Sequence, residues 1–204
     1  MKQFTLICLL LSVVLFSRAD FKYAPGYIIT PDNDTVYGSV RITVDQDDQL
    51  LPADIQNRMI FVSRTGTRTT YLPGSISYFH FFYNFQNITY ASVPFFNGQL
   101  FMQKISEKGY VNLYRYFHGN RNGISNTYEL AEYAYQTDFP DNNFFYLVKP
   151  TGEFLFLGKH TPRGRVSSFF SDDPQLKRKI ESRRYTYTDV YRMVREYNRF
   201  REEQ

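Results

Sequence analysis

The sequence predicts a mainly β, α+β fold: an antiparallel sheet, sandwich-like or closed into a partial barrel, followed by two C-terminal α-helices. Three observations carry that prediction. The chain is 19% aromatic, with 20 Phe and 18 Tyr and no Trp, and aromatic and β-branched side chains favour pleated, half-buried surfaces. Stretches of period-two alternation recur between turn signals, the mark of strands with one inward face. The last thirty or so residues change to helical spacing with recognisable caps.

The first nineteen residues read as a secretory signal peptide. Lys2 gives a positive start, residues 4–16 are apolar except for Thr5 and Ser12, and Ser17-Arg18-Ala19 places small residues at −3 and −1. The apolar run is shorter than the ~20 residues a membrane-spanning helix needs. Cys8, the single cysteine, lies inside this run. Cleavage after Ala19 is expected to leave about 185 residues (204 − 19) with no thiol, enough for one β-rich domain, 20–204, stabilised by burial alone. No later segment is apolar enough to span a membrane as a helix. The expected location is the periplasm or the cell surface.

Within 20–204 the elements follow in order. Residues 27–30 read as a strand and Pro31-Asp32-Asn33-Asp34 as a turn, because Pro fixes φ and Asn/Asp bond locally to backbone. Val36, Gly38, Val40, Ile42 and Val44 then alternate with polar neighbours. Residues 45–52 are polar loop. Residues 59–62 and 69–72 flank Thr65-Gly66-Thr67 as a second hairpin. Residues 78–85, Tyr-Phe-His-Phe-Phe-Tyr-Asn-Phe, read as a strand buried on both faces, with a break at Gln86-Asn87 before a strand at 88–93. Asn97-Gly98 reads as a hairpin turn, 106–109 as another turn, and Val111 to Phe117 as an alternating strand. Residues 118–126 read as surface loop. Residues 144–148 and 154–157 flank Pro150-Thr151-Gly152 in the clearest hairpin, and 160–164 read as loop. Asp173-Pro174 starts a helix with Leu176 and Ile180 on one face. Thr186 or Thr188 caps another, with Val190, Met193, Val194 and Tyr197 inward. The helical part is expected over about 171–201.

Several of these segments carry a resemblance. Gly26-Tyr27-Ile28-Ile29-Thr30 with Asn33-Asp34-Thr35 and Gly38, then residues 108–114, then Phe169-Phe170-Ser171-Asp172-Asp173-Pro174-Gln175-Leu176, Lys179-Ile180, Asp189-Val190, Met193-Val194 and Glu196-Tyr197-Asn198, resemble the ordered motifs of an uncharacterised family of exported proteins of Bacteroidota. The resemblance spans nearly all of 20–204. Asn33 stands where that family usually has Gly, and Asp173 where it often has Cys. The resemblance implies export and a β-rich architecture. It carries over no catalytic residue, because the family has no assigned activity.

No residue is assigned a catalytic, cofactor-binding or metal-binding role. His80, His118 and His160 lie about forty residues apart, without the tight local ligand pair a zinc site usually contains. No cysteine remains after Ala19, and no Gly-x-Ser-x-Gly elbow exists. Glu129, Glu132, Asp138, Asp141 and Glu153 are the central acids available to a hydrolase, and solvated surface charge explains them. Asp32-Asn33-Asp34 and Asp45-Gln46-Asp47-Asp48 look like calcium-loop fragments but lack the loop's Gly and final Glu. Lys177-Arg178-Lys179 and Arg183-Arg184 read as a solvated helix face. The net charge of +4, which becomes +2 without Lys2 and Arg18, argues against nucleic acid. The expected role is a non-catalytic binding or structural one, toward a protein, glycan or envelope component. The alternatives are a hydrolase built from scattered carboxylates and a histidine, and a small outer-membrane barrel.

Overall fold

A computed structural model describes residues 20–106, 109–117 and 143–204. The signal-peptide reading, the 118–126 loop, His118 and the acids Glu129, Glu132, Asp138 and Asp141 lie outside the described residues.

The described chain forms one open, ten-stranded antiparallel sheet with three helices at its end. The strands are β1 Asp20–Ile29, β2 Thr35–Val44, β3 Met59–Ser63, β4 Arg68–Tyr71, β5 Tyr78–Tyr83, β6 Gln86–Phe95, β7 Gly98–Lys104, β8 Asn112–Phe117, β9 Asn143–Val148 and β10 Phe154–Leu157. Their order across the sheet is β10-β9-β8-β7-β6-β5-β1-β2-β3-β4. Neighbours in the sheet are consecutive in the chain, as short connections favour, except at the β1–β5 pair, which places the first hairpin beside β5.

β1 and β2 pair over all ten residues. Thr30 and Asp34 close the turn, Thr30 N–H donating to the Asp34 carbonyl at 3.0 Å. Asn33 sits there at φ 69°, in the left-handed region that Asn tolerates. Gly26 faces Gly38 across the pair. A Cβ on Gly26 would lie 2.0 Å from the His80 carbonyl oxygen, and one on Gly38 2.2 Å from that of Val62. Neither position admits a side chain, and the pair lets the strands bend closely together.

The sheet curls. A 3₁₀ turn at Pro52–Ile55, in the β2–β3 connection, reaches β7, four strands from β2 in the sheet order: Phe101 N–H donates to the Gln56 carbonyl at 2.8 Å. The concave face closes over one cluster that includes Ile28, Val40, Ile42, Phe61, Phe79, Phe81, Tyr90 and Phe101. Farther along the same face, Leu113, Leu147 and Leu155 of β8–β10 are covered by the helices α1 Arg163–Phe169, α2 Pro174–Glu181 and α3 Val190–Glu202. On the opposite face a third cluster gathers Val93, Phe95, Met102, Phe144, Tyr146 and Phe156.

The seam between β7 and β8 is sealed by side chains. Those strands pair only through Gln103–Arg115 and Lys104–Tyr114. Beyond one end, the Gln56 amide accepts from Phe117 N–H at 2.7 Å and donates to the Phe117 carbonyl at 2.8 Å. Beyond the other, the Asn198 amide accepts from Val111 N–H at 2.6 Å and donates to its carbonyl at 3.0 Å. Each amide substitutes for a missing strand neighbour, as buried backbone requires.

Most predicted elements are present; two hairpin turns are displaced by one or two residues, and one loop and one burial pattern are corrected. The loop expected at 160–164 instead runs into α1, a third helix. It begins behind Pro162 without a side-chain cap and is held by Val166 and Phe169 in the core, so burial supplies what local signals lack. The strand expected to be buried on both faces, 78–85, is not. Phe79 and Phe81 are in the core, whereas Tyr78 and Phe82 are exposed, because no covering layer lies on the convex side of β5 among the described residues. The two helices predicted at the C-terminus are capped as expected. Asp173 accepts from Gln175 N–H and Leu176 N–H, each at 3.0 Å, with Pro174 following. Thr186 and Asp189 form a capping box ahead of α3. No helix among the described residues is long and apolar enough to cross a membrane.

Candidate ligand-binding face

The convex face of β1, β2, β5 and the Thr89 end of β6, clear of the Val93–Phe95 cluster and not overlaid by any described residue, concentrates what the sequence scatters. Alternation in β1 turns Phe21, Tyr23 and Tyr27 outward while Ala24 and Ile28 enter the core. In β2 it turns Tyr37 and Arg41 outward against Val40 and Ile42. Register then aligns them: Thr89 of β6 faces His80 of β5, His80 faces Tyr27, and Tyr27 faces Tyr37.

The result is a row of side chains across four strands, about 15 Å long at the usual strand spacing. The His80 ring stacks on Tyr27 with centroids 5.1 Å apart. Tyr27 tilts against Tyr37 at 5.9 Å. His80 is fixed from its other side, with Nδ1 3.0 Å from Thr89 Oγ1 and Nε2 3.3 Å from Asn87 Oδ1. Around this row Phe21 is 60% exposed, Tyr37 52%, Tyr23 51% and Phe82 45%. Exposed apolar rings gathered on one face and rimmed by polar residues mark a site of interaction.

Pro25 extends the opening. The bond from Thr30 N–H to Asp34 sets the alternation along β1 so that the Pro25 nitrogen faces β5. With no N–H to offer Phe82, the β1–β5 ladder stops at Gly26–Phe81. Phe21 and Tyr23 thus project past the end of the β5 ladder.

The face is also cationic. The Arg41 guanidinium lies 4.4 Å from the Phe21 ring centre and that of Arg64 lies 5.0 Å from Tyr37, both within cation–π range. Arg68 shares the outward register, through Val62 and Ser39. Strands β1–β6 contain one acidic residue, Asp20, and it lies on the inward register with Ala24. Other nearby acids are held at the rim. Asp45 Oδ1 accepts from Asp47 N–H and Gln49 N–H in a local turn, and Asp48 pairs with Lys22, whose hydrogen bond holds the Asp48 carboxyl below its usual range.

The remaining candidates from the sequence do not converge among the described residues. No group of three His, Cys, Asp or Glu side chains is placed to hold a metal ion. His80 belongs to the row on β5, and His160 follows β10, five strands away. Glu153 pairs with Lys149 at 2.9 Å. Lys149 is the centre of a clamp: its ammonium also donates to the Phe169 carbonyl at 2.5 Å and lies 3.9 Å from Asp172. Asp172 in turn accepts from Tyr197 Oη at 2.6 Å and Arg201 at 3.0 Å. This ties the β9–β10 turn to α1 and α3. In the basic helix, Lys179 pairs with Glu196, which also accepts from Tyr185 Oη at 2.6 Å, and Lys177 with Glu181 at 3.9 Å.

Sequence reasoning singles out 78–85 as unusual but assigns it to the core, and it does not single out Tyr27, Tyr37, Arg41 or Arg64. The available signal is Asp20–Ile29 itself, where Phe21, Tyr23 and Tyr27 share the outward register opposite the inward Ala24 and Ile28. No known protein-family model, curated protein or solved structure matches the chain.

Proposed function

We propose that the chain is an exported, non-catalytic binding domain that holds glycan chains on the convex aromatic face of β1, β2, β5 and β6. The observation that carries this reading is the Thr89–His80–Tyr27–Tyr37 row. Sugar rings present apolar C–H faces edged by hydroxyls. Aromatic rings match the first and nearby polar groups the second. Here rings alternate with an imidazole, tyrosine hydroxyls, Thr89 and Asn87, so one surface offers both. The surface is open and long, which suits a polymer better than a small enclosed substrate.

The test is calorimetric titration of the protein with soluble polysaccharides, comparing wild type with Tyr27→Ala and Tyr37→Ala. Each substitution is expected to weaken binding about three- to tenfold, the usual value of one ring contact, with the melting temperature nearly unchanged for Tyr37. Retained affinity in both variants, or no binding to any polysaccharide, would remove the reading.

A further inference from the structure

We infer that the glycan held on this face is anionic and carries carboxylates, as a uronic-acid polymer does. The inference rests on the proposed binding role and adds the chemistry of the ligand.

Three arginines share the aromatic face, and none of them has a carboxylate within ion-pair distance among the described residues. Arg41 and Arg64 are held over Phe21 and Tyr37. A guanidinium in cation–π contact with a ring still has N–H donors to offer a ligand. That planar fork matches a carboxylate in a bidentate pair. The ring contact also restricts the side chain beforehand, so less freedom is lost on binding.

The charge pattern is selective. Residues 20–60 hold seven acids and three bases, a net negative segment, yet its outward strand positions carry only Arg41 and no acid. The acids lie in the turn at Asp32 and Asp34, the loop at Asp45, Asp47 and Asp48, the 3₁₀ turn at Asp54, and inward at Asp20. The face is thus a cationic, aromatic island with an acidic rim. Such a rim repels a polyanion that strays from the track and favours a chain that follows the arginines.

Charge density decides between anionic ligands. Arg41 and Arg68 stand two strands apart, on the order of 10 Å, and no lysine points outward from β1–β6. A nucleic-acid strand, with a phosphate at every residue, calls for a denser track of cations. A glycan with at most one carboxylate per ring matches sparse arginines between aromatic platforms.

The experiment titrates the protein with a polyuronate, with the same polymer after reduction of its carboxyls to alcohols, with a sulfated polysaccharide and with single-stranded oligonucleotide, each at two salt concentrations. The expected result is about tenfold tighter binding of the polyuronate than of its reduced form, weakening as salt rises. Arg41→Gln with Arg64→Gln should reduce that preference to about twofold, with circular dichroism confirming the fold. Equal affinity for native and reduced polymer overturns this inference and leaves the glycan reading standing. Tighter binding of the sulfated polymer or the oligonucleotide overturns it in favour of that ligand. No binding to any of the four overturns both.

Discussion

Single residues in this fold hold backbone conformations their side chains do not favour. Arg183 ends α2 at φ 63°. Arg184 N–H donates to the Lys179 carbonyl at 3.0 Å and Arg183 N–H to that of Ile180 at 3.2 Å, the paired bonds of a Schellman motif. The position calls for glycine, and arginine bears the left-handed penalty there. Arg183→Gly is therefore expected to stabilise the protein by about 0.5–1 kcal/mol, read as a higher urea midpoint with unchanged slope. The same conformation appears at Asn33, Asn84, Phe85 and Phe96. These positions show why some turns are legible and others displaced. Asn33 lies in a run of Pro, Asp and Asn whose local bonding announces a turn. Phe85 and Phe96 announce nothing. The hairpin expected to break at Gln86-Asn87 turns instead at Asn84-Phe85, and the one expected at Asn97-Gly98 turns at Phe96-Asn97, with Gly98 already paired to Phe95. The binding row is hidden for a related reason: pattern shows which residues leave the core, and only register shows that Tyr27, His80 and Tyr37 meet.

At the scale of elements, local chemistry is readable and long-range repair is not. Asp173 and Thr186 cap their helices through bonds to backbone within three residues, so four letters suffice to see them. α1 has no such cap and exists because its Val166 and Phe169 have somewhere to go. The seam between β7 and β8 is the extreme case. Asn198 and Gln56 look like ordinary polar residues, yet they reach Val111 and Phe117 across 87 and 61 positions of chain. Asn198 is only 9% exposed, and Gly109 lies so close that a Cβ there would sit 2.0 Å from the Asn198 amide nitrogen. Removing the amide leaves a donor and an acceptor of Val111 buried without partners. Asn198→Ala is thus expected to cost about 2 kcal/mol or more, against a few tenths for Asn87→Ala on the open face, measured by equilibrium denaturation. Asn198→Asp keeps an acceptor for Val111 N–H but sets a carboxylate against the Val111 carbonyl, so it should destabilise at least as much as alanine. A near-neutral Asn198→Ala would mean the α3–β8 contact is not what closes the seam.

For the whole molecule, stability should follow the ionisation of groups distributed through all three clusters. On the acid side, burial pushes the Glu196 carboxyl up, but hydrogen bonds from Lys179 and Tyr185 outweigh it and hold the group below its ordinary value. Asp189 is likewise lowered by the backbone and hydroxyl of Thr186. A carboxyl lowered in the folded state stabilises fully above its unfolded pKa, about 4, and that contribution is lost as pH falls through the folded value. On the alkaline side the sign reverses. Burial raises the phenols of Tyr90, Tyr114 and Tyr116, and burial followed by the Asp172 hydrogen bond raises Tyr197. Below about pH 10, the unfolded value, folded and unfolded chains both keep these protons. Above it the unfolded chain releases them and the native chain does not, so stability falls as pH rises. Tyr90 sits in the concave core, Tyr116 against the opposite face and Tyr197 on α3 in the cluster the helices cover, so no single region escapes. Urea midpoints should therefore form a plateau between about pH 5 and about pH 9 and decline on both sides. Alkaline loss of circular dichroism should coincide with the rise of tyrosinate absorbance from the buried phenols. Tyr90→Phe combined with Tyr197→Phe should make the alkaline limb shallower, with Tyr114 and Tyr116 still contributing, and leave the acid limb in place. Buried tyrosines that ionised while the sheet signal persisted would mean that water already reaches them in the native state, contrary to the packing on which the open aromatic face is built.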